Sequence, residues 1–522
     1  MSTSHSPIRT RLRKQRGRLL LLALASALLG LSAIAAVASA QVATPRLSAG
    51  AANTCAIFAT GADSNGDKVY CWGSNVRKQL GIGQNDLSYA LNPIPVNALN
   101  GVPKVVSTGY DSACAIVHFG SVRCWGNNEN GALGAKNKGD NVPNKQVSAA
   151  LAGNWAAPGS VAVGQRHMCF LDLDRTVKCQ GQNSSGQLGN ATNADSSTPV
   201  VVAGFGNPAV QVVSGNNHSC ALLTNGNVRC WGANNQGQLG TAVAATPTSN
   251  VSISVPDMAN DITQIASGYD HSCAIRTNDN VVCWGANSYG QLGDGSVTPT
   301  KGTETTESLG GRAKEIATGQ AHTCALLVNG TVRCWGANSY GQLGNGTAVG
   351  STRPVSVVGL PAAVDSITTG AYHTCAVLVD KTLRCWGRND KGQLGNGTRD
   401  NANQPSSLAR FAGPSYTKVK VEKSGGRSNF VALFMVVPPV PGDIADRCIG
   451  STISTVSVTQ DGVTKRKGIR AKLRVSGTKC VASLRVNGIS NSVSAASVYV
   501  RSSFKGNSRL PAAKFSQTFP SL

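Results

Sequence analysis

A chain of 522 residues with 41% hydrophobic side chains is not globally disordered, and it is long enough for a large core and more than one domain. Lysine and arginine number 48 against 25 aspartate and glutamate, a formal net charge of +23. The excess is local: residues 1–40 hold six basic and no acidic residues, residues 41–400 carry a net +3, and residues 401–522 carry +14. An anionic partner is therefore expected for the C-terminal part rather than for the whole surface, the bland alternative being a solvated face.

The first residues read as a secretory leader. Arg9, Arg11, Arg13, Lys14, Arg16 and Arg18 precede an uncharged apolar run from Leu19 to Val37, and Ala38-Ser39-Ala40 supplies a small-residue cleavage site before Gln41. A signal peptide over residues 1–40 is the expectation, and an uncleaved N-terminal anchor helix is the rival, because the apolar run is long. The mature protein is then secreted, periplasmic or held at the cell surface.

The sixteen cysteines agree with export, since each falls into a local pair. The pairs are Cys55/Cys71, Cys114/Cys124, Cys169/Cys179, Cys220/Cys230, Cys273/Cys283, Cys324/Cys334, Cys375/Cys385 and Cys448/Cys480. Even, paired usage predicts disulfides in an oxidising compartment. Zinc is disfavoured, because no fixed second pair completes four ligands.

The first seven pairs belong to a repeat. Their leading cysteines are spaced by 59, 55, 51, 53, 51 and 51 residues, a period that means an array of small β units. The copy from His218 to Gly240 reads as two short strands around an Asn-Gly turn, followed by a Gly/Asn-rich loop. A three-residue turn at 224–226 would set Cys220 directly opposite Cys230, close enough to bridge. The last turn residue should then be left-handed. It is glycine at Gly120, Gly226 and Gly330 but Arg175, Asp279 and Lys381 elsewhere, where strain or another turn type is expected. In copy one, Asp63, Asn65 and Asp67 alternate like the start of a calcium loop. Lys68 and Ser74 occupy the positions that need glycine and glutamate, so a plain turn is expected.

Trp72, Trp125, Trp231, Trp284, Trp335 and Trp386 follow the second cysteines, with Gln180 in the third copy, and read as packing between units. His167, His218, His271, His322 and His373 share another position, with Asn53 and Ser112 in the first two copies. The expectation is a repeated structural hydrogen bond inside each unit, not a metal ring.

The pattern Gly-x-x-His-x-Cys-Ala-Leu, then Gly-x-Val-x-Cys-Trp-Gly-x-Asn-x-x-Gly-Gln-Leu-Gly, resembles the regulator of chromosome condensation repeat family over roughly residues 43–400. The resemblance implies an all-β, seven-bladed β-propeller, and the cysteine-bearing hairpins are similar to the family's exported bacterial branch. The propeller is placed at 41–437, with residues near 404–433 returning to complete blade one, or else forming a degenerate eighth blade. After the Pro438–Gly442 linker, residues 438–522 read as a small basic β-domain with the Cys448–Cys480 bridge. Its candidate contacts to an anionic partner are Lys465, Arg466, Lys467, Arg470, Lys472 and Arg474, the last three expected on one strand face.

No Gly-x4-Gly-Lys-Ser/Thr, His-Glu-x-x-His or Gly-x-Ser-x-Gly occurs, so no catalytic residue, cofactor or metal is assigned. The variable segments 134–147, 190–198, 241–255 and 295–308 are read as recognition loops. The expected function is an exported, non-enzymatic binding scaffold for a protein or glycan partner. Its basic C-terminal module would attach to an anionic polymer of a bacterial cell envelope; nucleic acid is disfavoured. The alternatives are a guanine-nucleotide exchange or chromatin regulator, as the resemblance implies for eukaryotic members, or an unrecognised enzyme.

Overall fold

Strands buried on both sides dominate the repeats. His218–Leu223 has six consecutive buried residues and no alternation, because each of its faces meets a neighbouring sheet. Seven four-stranded antiparallel sheets follow one another along the chain: blade 1 from Leu47 to Pro95, blade 2 from Pro103 to Gln146, blade 3 from Val161 to Val201, blade 4 from Ala209 to Ser254, blade 5 from Ile262 to Thr305, blade 6 from Ala313 to Ser356 and blade 7 from Val364 to Ser407. Within each blade the strands pair in chain order.

The computed structural model describes residues 46–408 except 59–66, 84–86, 97–98, 100, 118–121, 135–141, 147–160, 259, 299–303 and 307–308, together with strands between 415 and 519. The leader expected at residues 1–40 and the calcium-like Asp63 and Asn65 lie outside the described residues. Asp67 pairs with Arg46 at 2.7 Å.

The core lies in wedges between blades. Cys220, Leu222, Val228, Cys230 and Leu239 of blade 4 pack on Ile262, Ile265, Ala274, Val282 and Trp284 of blade 5. Another wedge joins Cys375, Leu383, Cys385 and Leu394 of blade 7 to Leu47, Ala56 and Trp72 of blade 1, which closes the ring.

Closure differs from the expectation. Blade 1 supplies all four of its own strands, and Ala402–Ser407 is the outer strand of blade 7. Residues 404–433 therefore do not return to blade 1, nor do they make an eighth blade. Ser415–Ser424 pairs with Ser428–Val437, and that strand pairs with Lys479–Ile489. By pairing, these two strands group with the C-terminal sheets. A second C-terminal sheet runs in the order Val463–Lys472, Ser451–Gln460, Ser497–Phe504, Ala513–Phe519.

In every blade the hairpin register sets one cysteine directly opposite the other. Cys55 faces Cys71, Cys114 faces Cys124, Cys169 faces Cys179 and Cys220 faces Cys230. Cys273 likewise faces Cys283, Cys324 faces Cys334 and Cys375 faces Cys385. All seven pairs are bonded, with Cα–Cα distances of 4.0–4.1 Å. Cys55 and Cys71 reach the same geometry although 16 residues separate them rather than 10, because Asn53–Phe58 and Lys68–Ser74 pair without a break. The turns of blades 3, 5 and 7 are not of another type. Arg175, Asp279 and Lys381 adopt φ of 64°, 63° and 65°, beside 78° and 82° for Gly226 and Gly330. Each side chain there costs about 1 kcal/mol relative to glycine, which the cross-strand pairing tolerates. Gly120 lies outside the described residues.

Candidate binding face at the channel mouth

The inner strands of the seven blades surround a central channel of about 320 Å³. Each inner strand ends at a glycine: Gly50, Gly109, Gly164, Gly215, Gly268, Gly319 or Gly370. Glycine is required because a Cβ on each would press on the carbonyl oxygen of the next glycine, from Gly50 onto Gly109 around to Gly370 onto Gly50. Two residues follow each glycine, and in five blades the first of them donates its backbone N–H to the next blade. Asn216 donates its N–H to the Tyr269 carbonyl at 3.0 Å, Tyr269 to Gly319 at 3.1 Å, Gln320 to Ala371 at 3.1 Å, and Ala371 to Gly50 at 3.2 Å across the closing junction.

On this constant frame the side chains differ from blade to blade. They are Ala51-Ala52, Tyr110-Asp111, Gln165-Arg166, Asn216-Asn217, Tyr269-Asp270, Gln320-Ala321 and Ala371-Tyr372. Tyr110 leans across the mouth to Tyr269, with ring centroids 6.3 Å apart. Tyr372 meets Tyr340 edge-on at 5.3 Å, and the Arg388 guanidinium lies 5.0 Å and 5.5 Å from the Tyr340 and Tyr372 ring centroids. Gln165 hydrogen-bonds the Tyr269 hydroxyl, and Gln320 that of Tyr372. Burial raises the pKa of both tyrosines and pushes the Asp111 and Asp270 carboxyls above the usual carboxylate range. Gln79 and Gln238, from the preceding blades, donate to those carboxylates at 3.1 Å and 3.3 Å. Asn216 Oδ1 and Asn217 Oδ1 are buried and accept no hydrogen bond among the described residues.

Sequence reasoning missed these pairs because it sought recognition in the longer variable segments. Those segments contain outer strands, among them Ser196–Val201 and Thr248–Ser254. A signal was present: when the copies are aligned, the two positions between the channel glycine and the histidine vary while their neighbours repeat.

The histidines bond between blades, not inside one. Nε2 of His167, His218, His271 and His322 lies 2.8, 2.9, 2.9 and 3.0 Å from the hydroxyls of Ser219, Ser272, Thr323 and Thr374 in the following blade. His373 reaches Thr54 at 2.8 Å and so latches blade 7 to blade 1. Thr54, Thr323 and Thr374 give their own protons to the carbonyls of Gln393, Gln291 and Gln342. His373, His271 and His322 must therefore donate, which makes each a neutral imidazole protonated at Nε2. Burial lowers the pKa of His167 to about 4 and of the other four to about 3. No group of three or more metal-ligating side chains occurs among the described residues.

The tryptophans pack between blades as expected, and each also donates a hydrogen bond. Trp72, Trp231, Trp335 and Trp386 bond the carbonyls of Gln393, Gln187, Gln291 and Gln342 in the preceding blade at 2.9–3.0 Å. Gln180 makes the equivalent bond to Ala132 at 2.6 Å.

Of the C-terminal candidates, Lys465, Arg466, Lys467, Arg470 and Lys472 lie on Val463–Lys472, whereas Arg474 lies on Arg474–Ser476 in the other sheet. Arg470, Lys472 and Arg474 therefore do not share one strand. Cys480 sits on Lys479–Ile489, and Cys448 lies outside the described residues, as does the bridge expected between them. No helix among the described residues is long and apolar enough to cross a membrane.

Comparison with known proteins agrees with this geometry. E3 ubiquitin-protein ligase HERC2 of Homo sapiens is 28% identical over 358 residues, which is 67% of this chain but only 7% of that protein. The ultraviolet-B receptor UVR8 of Arabidopsis thaliana is 28% identical over 435 residues, 80% of this chain and 94% of the receptor. The crystal structure of Prp20p from Saccharomyces cerevisiae, described with its binding to Gsp1p and histones, superposes with a TM-score of 0.58 at 21% identity, covering 67% of this chain and 88% of that one. That likeness is one of fold. Propellers of this kind serve generally as binding or regulatory scaffolds. The profile of the RCC1-like domain matches residues 68–432, and with seven sheets of the matching architecture closed into a ring, this chain belongs to the RCC1-like domain family.

Proposed function

We propose that this protein is an exported, non-enzymatic binding scaffold that takes a protein or glycan partner on the channel-mouth face. Its basic C-terminal strands attach it to an anionic envelope polymer. The carrying observation is the contrast between a hydrogen-bonded frame of glycines and the different side chains it presents in each blade. A rigid frame with variable tips is the usual arrangement of a recognition surface. Export is supported by the leader-like first forty residues and by the seven bridged hairpins, which need an oxidising compartment. Attachment is supported by the net +14 of residues 401–522.

The test compares the wild type with a variant carrying Tyr110→Ala, Tyr269→Ala and Tyr372→Ala as bait in the envelope and medium fractions. A partner recovered by the wild type and lost by the variant is expected. Equal recovery by both would remove this face from the reading. For attachment, truncation after residue 408 is cleaner than a cut at 440, because Ser428–Val437 pairs with Lys479–Ile489. The truncated protein should leave the envelope, and the full chain should elute with rising salt.

A further inference from the structure

We infer that the channel mouth is a saccharide subsite, in which the Tyr110–Tyr269 pair and the polar side chains around it receive the terminal sugar of a glycan. This rests on the reading of the mouth as the recognition face and adds the chemistry of the occupant.

Three observations converge on a sugar. The first is the aromatic surface: four of the nine tyrosines lie on this face, Tyr110, Tyr269, Tyr340 and Tyr372. Hydrogen bonds from Gln165 and Gln320 hold Tyr269 and Tyr372 in place. Fixed rings cover the C–H face of a pyranose with little loss of side-chain freedom on binding.

The second is the polar set, which is mixed in sign. Around the mouth stand Arg166 on one side of the charge balance and Asp111 and Asp270 on the other, while Arg388 is already paired with Asp390 at 2.8 Å. A neutral ligand rich in hydroxyls satisfies both, because each hydroxyl donates and accepts. The amides of Gln165, Asn216 and Gln320, which line the channel, offer both donors and acceptors to such hydroxyls.

The third is size. The channel, at about 320 Å³, stands at the low end for small-ligand sites, and Tyr110, Gln165, Asn216, Tyr269 and Gln320 line it together with the seven glycines. A sugar ring or two fits this space, and a folded element of a protein does not.

The experiment uses the full, oxidised protein on an array of immobilised glycans, with competition by the free mono- or disaccharide that ends each bound glycan. At least one glycan should bind and be displaced by its own terminal sugar. Tyr110→Ala and Tyr269→Ala should each weaken it tenfold or more. Tyr110→Phe, which keeps the ring, should retain most of the binding, and Tyr89→Ala, on the outer strand of blade 1, all of it. Peptide mapping of the seven bridges checks that each variant is folded. An array with no bound glycan, or binding indifferent to both tyrosines, overturns the inference. If the bait experiment still recovers a protein that the tyrosine variant loses, the scaffold stands and only the sugar falls. If neither yields a partner, both readings fall.

Discussion

Glu315 stands where Gln211 and Gln264 stand in the two preceding blades. Gln211 clamps the next inner strand from both sides, donating to the Ile265 carbonyl at 2.9 Å and accepting from its N–H at 3.0 Å. A carboxylate can only accept, and Glu315 does so from Ile367 N–H at 3.2 Å and the Ser366 hydroxyl at 3.1 Å. Burial pushes its carboxyl up to about 7. The folded state thus holds this proton more tightly than the unfolded chain. Its contribution to stability is full below the unfolded value near 4.5 and is lost as pH rises through about 7. Glu315→Gln should therefore raise stability at pH 8 by on the order of 2 kcal/mol and change little at pH 4, measured by denaturant midpoints. The five buried histidines act in the opposite sense. Their folded pKa values lie near 3 to 4, below the unfolded 6.5, so their contribution is full above 6.5 and fades as pH falls toward those values. Each removes up to about 1.4 kcal/mol per pH unit in that window. Thermal melts should drop steeply between pH 6.5 and 4, and His218→Gln should make the slope shallower.

At the scale of the blade, two latches repeat, and at one junction the histidine latch is missing while the tryptophan latch keeps its hydrogen bond, through Gln180, but loses the indole's packing. Where a blade carries the histidine, the next carries a hydroxyl. At the junction of blades 2 and 3, Ser112 replaces the histidine, Met168 the hydroxyl and Gln180 the tryptophan. At the junction of blades 1 and 2 the histidine latch is also missing, and both polar atoms of the Asn53 amide are buried with no partner among the described residues. There Trp125 still bonds the Gln79 carbonyl at 2.9 Å. The seam between blades 2 and 3 should open first, so Ser112–Val117 and His167–Leu171 should exchange amide hydrogens ahead of the equivalent strands of blades 5 and 6. Thr323→Val removes the hydroxyl that serves both His271 and the Gln291 carbonyl. It should cost about 2 kcal/mol and bring the junction of blades 5 and 6 toward the same behaviour; unchanged exchange there would refute the latch. The repeat period, the opposed cysteines and the packing role of the tryptophans are legible because each recurs at a fixed place in nearly every copy. The histidine bond escapes a reading of single copies because its partner lies about fifty residues away, although the sequence does set a histidine in one copy against a hydroxyl in the next. The return of residues 404–433 was misread for a related reason. Gln404-Pro405 does track Thr198-Pro199, but that segment is an outer strand, and blade 1 already had its own.

The whole ring shields its cross-links. All fourteen half-cystines of the propeller are at 0% exposure, sealed between neighbouring blades. Exchange needs a thiolate to reach a sulfur along the bond axis, and no path exists while the blades are docked. Reduction of the native protein should therefore wait on opening of the ring. Its rate should saturate with reductant concentration, should match unfolding measured separately in denaturant, and should yield few partly reduced species by mass. The junction of blades 7 and 1 is the decisive place to perturb, because these two blades are the first and last of the ring and are not consecutive in the chain. It is held by the wedge of apolar side chains and by the bonds from Trp72 and Thr54 to the Gln393 carbonyl and from His373 to Thr54. Trp72→Phe keeps most of the packing but removes the donor, and Thr54→Val removes the hydroxyl. Each should speed reduction of all seven bridges together, by about tenfold for 1.4 kcal/mol lost from the closed ring. If instead each bridge is reduced at its own rate, in proportion to reductant and indifferent to either substitution, the bridges are reached without opening, and the ring is not the barrier that protects them.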